Sequence, residues 1–142
     1  MKLVKQLLEA KGHDVLSIDP DASVLDAVKL MAEKGVGALT VMDGSKLAGI
    51  VTERDYARKI ILKGRSSDTT TVGEVMTPDV ITTSGDGSVE KCMNMMTDSR
   101  IRHLPVVDDG VVVGIISIGD LVKAVIADQK EEIEQLGHYI SG

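Results

Sequence analysis

Residues 49–55 read GIVTERD and residues 114–120 read GIISIGD. In each, an apolar run ends in a hydroxyl residue, Thr52 or Ser117, with an acid, Asp55 or Asp120, three residues on. That spacing has the form of a capping box, in which side chains satisfy the unpaired amides of a helix start. The same residue types can also do recognition chemistry. A helix N-terminus attracts anions, so a phosphate fits beside Thr52 or Ser117. Aspartate is shorter than the usual glutamate at the third position and can accept two hydrogen bonds from a vicinal diol such as a ribose. Arg54, Arg58 and Lys123 put cations on or near the same turns. An acid for a sugar and cations for its phosphate suggest a nucleotide.

Two copies of one unit must position these groups. VMDGSKLAGIVTERDY, from Val41, recurs as VVDDGVVVGIISIGDL, from Val106, and Gly49/Gly114 and Asp55/Asp120 are both 65 residues apart. The same offset aligns SVLDAVKLM with SVEKCMNMM, and VGALTV with IRHLPV, without a gap. Short β-branched runs, Val15 to Ile18 and Val80 to Thr83, predict strands. Ser23 and Ser88 then cap amphipathic helices that end near Gly35 and Ser99. Ala38 to Met42 with Leu47 to Val51, and Leu104 to Val107 with Val111 to Ile116, predict hairpins around Asp-Gly turns. A second helix starts at Thr52 or Ser117, so each unit reads strand, helix, strand, strand, helix.

The expected organisation is an N-terminal lead-in helix at 1–14, a first repeat at 15–62, a linker and lead-in at 63–76, a second repeat at 77–128 and a C-terminal helical tail at 129–142. Six residues separate Leu8 from Val15, but only three separate Met76 from Val80, so the two lead-ins are not identical. The stretch from Lys63 to Thr71 is polar and predicts a surface loop. One sheet and two helices cannot cover both faces of a single unit, so the repeats are expected to pack on each other.

Composition narrows the function classes. The 142 residues carry a formal net charge of -6, which argues against a nucleic-acid backbone as partner. With no Trp or Phe and only Tyr56 and Tyr139, stacking platforms for single strands are missing too. No apolar run approaches the roughly 18 residues of a membrane span, and the N-terminus is too polar for a signal-peptide core, so no membrane partner and a cytoplasmic location are expected. Cys92, the single cysteine, excludes an internal disulfide and reads as a core thiol; three scattered histidines offer no metal-ligand spacing. GVGALT lacks the third glycine of a dinucleotide fingerprint and precedes a strand. CMNMM reads as core or dimer interface. No nucleophile elbow is present, so no catalytic residue and no catalytic cofactor are expected.

The duplicated G-h-h-[ST]-x-x-D signature, with IRHLPVVD before its second copy, resembles a tandem pair of CBS (cystathionine-β-synthase) domains, the Bateman module, over nearly the whole chain. The resemblance implies a stand-alone α/β (α+β) protein, two βαββα repeats about a pseudo-twofold axis with two clefts for adenosine-bearing ligands. It implies Asp55 and Asp120 as ribose acids, with Thr52 and Ser117 near phosphate. It further implies that Val80, Ile81 and the stretch Ile101, Arg102, His103 to Pro105 face the Thr52 cleft, and that Leu16, Val36, Gly37 and Ala38 face the Ser117 cleft.

Gly37 and Ala38 are small enough to let a flat ring approach backbone amides, or simply make a tight helix-to-strand entry. Arg102 stands in an apolar stretch where a cation is costly unless paired, by a phosphate or by Asp98 or Asp109. His103 reads more readily as a packed or hydrogen-bonded histidine than as a ligand contact. Thr40 replaces the proline found at Pro105, which makes the clefts inequivalent, and ERDYARK against IGDLVKA equips the Thr52 cleft better for a polyanion. The expected function is a regulatory, non-enzymatic module that binds AMP, ATP or NAD and acts as a homodimer through its long helices. A ligand-independent adapter for a protein partner is the alternative.

Overall fold

The computed structural model describes residues 2–141, which divide into two compact units. One unit spans Val15–Ile81; the other joins the N-terminal residues up to Asp14 to the chain from Thr82 onward. Helices and strands mix in both, an α+β architecture.

In the Val15–Ile81 unit the order is β1 (Ser17–Ile18), α2 (Val24–Lys34), β2 (Ala38–Asp43), β3 (Lys46–Thr52), α3 (Glu53–Asp55) and α4 (Val72–Val75). Past Asp55 the helix widens into a π-helical stretch, Tyr56–Ile61. The Ser23 hydroxyl accepts from the Asp26 amide to start α2, and Gly35 ends it in the left-handed conformation, φ 66°. β2 pairs with β3 antiparallel and with β1 in parallel. Val24, Ala27 and Met31 of α2 close over Leu39, Val41 and Val51 of the sheet, with Ile60, Val72 and Val75 completing the core.

The other unit contains α1 (Val4–Lys11), α5 (Val89–Ser99), β4 (His103–Asp108), β5 (Val111–Ser117) and α6 (Ile118–Ser141). Ser88 caps α5 as Ser23 caps α2, and Arg100 takes the left-handed position, φ 55°, that Gly35 holds in the first copy. Both hairpins carry a register shift at equivalent places, Val41/Met42 and Val106/Val107. The lead-in helix α1 packs here, on the second repeat, where Val4, Leu7 and Leu8 join Val89, Cys92, Met96, Leu104, Ile116 and Leu121. Cys92 is fully buried, and Met93 and Met95 lie partly buried against the same core. α6 runs without a break past Asp128, and Ile133 and Leu136 on its distal part are exposed.

One expected strand is much reduced. Val80 to Ile81 have no regular structure, and Thr83 makes only an isolated parallel bridge to Val106. Position 40 explains the contrast with β1: the Thr40 amide and hydroxyl both donate to the Leu16 carbonyl, at 3.1 and 3.2 Å. Pro105, at the equivalent place, has no amide to offer.

The two motif glycines are packing sites. A Cβ on Gly114 would lie 2.7 Å from a Leu8 methyl carbon of α1, and one on Gly49 would lie 2.6 Å from Met76 Sδ and 2.7 Å from the Thr77 carbonyl oxygen. In each unit the glycine admits the lead-in segment onto the sheet.

Candidate functional site

Strand register delivers the two turns. Ala38 pairs with Thr52 across β2 and β3, and His103 with Ser117 across β4 and β5. Gly37 and Arg102 consequently reach the helix starts, where their carbonyls accept the Glu53 amide at 3.1 Å and the Ile118 amide at 2.9 Å.

Both capping boxes are closed. The Thr52 amide and hydroxyl donate to Asp55 Oδ2 at 3.0 and 3.2 Å, while the Asp55 amide donates back to Thr52 Oγ1 at 3.2 Å. In the other unit the Ser117 amide donates to Asp120 Oδ2 at 2.8 Å and the Asp120 amide to Ser117 Oγ at 3.2 Å. Three amides of each helix start are thereby taken by the protein.

Each acid also has a lysine, and sequence reasoning singled out neither. Lys59, one turn beyond Asp55, places Nζ 3.1 Å from Asp55 Oδ1 and donates to the Val75 carbonyl at 2.7 Å. Position 124, its equivalent, is alanine. There the ammonium comes from Lys11, the last residue of α1, whose Nζ lies 2.6 Å from both Asp120 Oδ2 and the Ile115 carbonyl. The equivalent carbonyl, Ile50, accepts the Thr77 backbone amide at 2.9 Å. The i, i+4 spacing of Asp55 and Lys59 was a usable signal. For Lys11 the only trace was the longer segment between α1 and the first repeat.

Burial opposes ionisation of Asp120, but the Lys11 ammonium and the Ser117 amide outweigh it and hold the carboxyl below its ordinary value. His103 is pushed down by burial and by the Lys11 and Arg102 charges, with Asp120 pulling the other way, so its ring is neutral at pH 7. Lys11, His103, Arg102, Ser117 and Asp120 thus form one electrostatic neighbourhood.

The remaining expected residues are distributed as follows. Leu16 and Val36 pack partly buried on the core of the Val15–Ile81 unit, with Ala38 buried and Gly37 half-buried. Arg54 and Arg58 are exposed on the turn after Thr52; Val80 is half-buried and Ile81 exposed. Ile101 packs against the core of the other unit, and the carbonyl of buried Pro105 accepts the Thr83 amide at 3.1 Å. Arg102 is exposed, so the expected burial penalty does not apply to it: water already solvates the charge. Among the described residues no cluster of three or more His, Cys, Asp or Glu could hold a metal ion, and no helix is long and apolar enough to cross a membrane.

Comparison with known proteins places these features in a family. The family model described as "CBS domain" matches residues 5–62 and 72–127. A curated relative, the mitochondrial CBS domain-containing protein CBSX3 of Arabidopsis thaliana, is 44% identical over 148 residues, which cover 98% of this chain and 72% of the relative. Among solved structures, a putative signal-transduction protein with CBS domains from Burkholderia ambifaria MC40-6 superposes with a TM-score of 0.87 at 53% identity, covering 90% of this chain and 96% of that one. The CBS domain pair of protein MJ0100, solved in complex with 5-methylthioadenosine and S-adenosyl-L-methionine, gives 0.80 at 28% identity, covering 90% and 98%.

Proposed function

Because the chain belongs to the CBS domain family, as a tandem pair, we propose that it is a regulatory module without catalytic activity that binds adenosine-bearing ligands of the AMP, ATP or NAD class. The observation that carries this reading is the duplicated carboxylate, Asp55 and Asp120, held at the same strand-to-helix turn with a lysine beside it. Such a group accepts hydrogen bonds from a ribose diol, and the adenosine compounds bound to the MJ0100 pair support that use. Thr52, Ser117, Arg54, Arg58 and Arg102 serve phosphate, and Val80, Ile81, Ile101, Pro105, Leu16, Val36, Gly37 and Ala38 serve the base. His103, being neutral, serves as a packing and hydrogen-bonding group.

Occupancy is transmitted by a change of shape or partner affinity in a homodimer. Ile61 and Ile126, equivalent under the repeat offset, are 59% and 47% exposed and suit a helix interface. The exposed Ile133 and Leu136 favour a second reading, a docking helix for a protein partner.

A thermal-shift panel of AMP, ADP, ATP, NAD, NADH and S-adenosylmethionine tests the proposal, since ligand at a hundred times its dissociation constant adds about 2.7 kcal/mol. Adenosine compared with 2′,3′-dideoxyadenosine then tests the diol. Equal binding of the two would remove the ribose role from Asp55 and Asp120, and no shift with any compound would favour the adapter.

A further inference from the structure

The two acids differ in which oxygen their partners occupy. At Asp120 both donors, the Ser117 amide and the Lys11 ammonium, fall on Oδ2, and among the described residues none falls on Oδ1. A carboxylate oxygen has two lone pairs, so Oδ2 is filled and Oδ1 keeps both. At Asp55 the Thr52 amide and hydroxyl fill Oδ2, and the Lys59 ammonium lies 3.1 Å from Oδ1 as an ion pair. The ammonium therefore stands beside the one oxygen of Asp55 that a diol could use.

The lysines also differ in where they come from. Lys11 is held at both ends: Nζ is locked between Asp120 and the Ile115 carbonyl, and its helix is fixed by Leu8 packed over Gly114. Lys59 is held too, between Asp55 Oδ1 and the Val75 carbonyl at 2.7 Å, but from a π-helical stretch only one turn beyond the acid.

We infer that the two sites receive a ribose diol in opposite ways: Lys11 stays and orients the Asp120 carboxylate for the sugar, whereas Lys59 masks Asp55 and must leave before both hydroxyls can bind. Lys11 is a positioning residue contributed by the N-terminal helix, and Lys59 is an internal competitor. The inference rests on the adenosine-binding reading proposed above.

Calorimetry with adenosine, which has no phosphate to attract a cation, separates the two roles. Asp55→Asn isolates the Asp120 site and Asp120→Asn the Asp55 site, each retaining an oxygen for its cap. In the first background Lys11→Met should weaken adenosine about three- to tenfold, and Lys11→Arg should restore most of the affinity; in the second, Lys59→Met should strengthen adenosine about threefold or more. A readout that a merely structural role would not move is the pH profile. Asp120 faces Lys11 from α1 and shares its surroundings with His103 and Arg102 at the start of β4, so on acidification the Asp120 site of Lys11→Met should lose adenosine at a higher pH than its parent. Carboxyl-carbon NMR of Asp120 reports the same change even if the variant is less stable. Effects of the same sign at both lysines, or no effect at either, would overturn the inference while leaving ligand binding intact. Absence of adenosine binding in the wild type and in both isolated sites would instead overturn the adenosine reading, and the inference with it.

Discussion

Lys11 and Asp120, 109 residues apart, meet at 2.6 Å, and the contact ties the end of the N-terminal helix to the first turn of the last helix. The pair is partly buried, with side-chain exposures of 35% and 19%, so it is screened less than a surface pair.

Its signature is a pH dependence. The Asp120 carboxyl titrates below the ordinary 3.8, so it contributes stability that is present above the unfolded value and lost as pH falls through the folded one. His103 acts in the same direction, since its lowered folded pKa also makes acidification destabilising. Lys11→Met should cost about 0.5–1.5 kcal/mol at pH 7. The difference from wild type should shrink as pH falls toward 3, measured by urea unfolding across pH. A constant difference would mean that Lys11 acts through packing alone.

The motif glycines should tolerate alanine unequally. At Gly114 the new methyl meets the side-chain end of buried Leu8, which must shift with α1, and a loss of about 1–2 kcal/mol is expected. At Gly49 it meets the Thr77 carbonyl, held in a two-way backbone bridge to Ile50, and a loss of about 2–3 kcal/mol is expected. Denaturant midpoints of the two variants check the order.

Arg58 should act on charge. Its replacement by alanine should weaken ATP or NAD more than adenosine, since a charge-assisted contact is typically worth about 1.5–3 kcal/mol. Calorimetry showing equal loss for all three would exclude a phosphate role.

Self-association should run through the second helices. Ile61→Glu and Ile126→Glu, at exposed positions that fill no core, should each shift the protein toward monomer in sedimentation velocity with the unfolding midpoint measured at low concentration nearly unchanged. An unaltered mass distribution in both variants would place the interface elsewhere.

Much of the candidate site was legible in the chain itself because it is local. Thr52 with Asp55, and Ser117 with Asp120, are three residues apart, and a capping box is decided by side-chain type at that spacing. The helix caps Ser23 and Ser88, the two hairpins and the 65-residue offset were readable for the same reason: each depends on neighbours in sequence, and the second copy checks the first.

Other features were decided by groups far apart along the chain. Beyond the longer segment after α1, residue types and spacing carry no sign that α1 packs on the second repeat, and so none that Lys11 would serve Asp120 where Lys59 serves Asp55. Gly49 and Gly114 belonged to a recognisable motif, but their reason, the close approach of Thr77 and Leu8, exists only once the lead-in segments are seated. The substitution of Pro105 for Thr40 was visible; its consequence was not, because the lost strand depends on a carbonyl some two dozen residues upstream. Arg102 looked costly in its apolar stretch and is exposed, since exposure belongs to a surface and a surface is made by everything that packs around it. Hydrogen bonds within one turn are set by the order of residues, whereas which carbonyl or carboxylate a lysine finds at the end of its four-carbon stem is set by the path of the whole backbone.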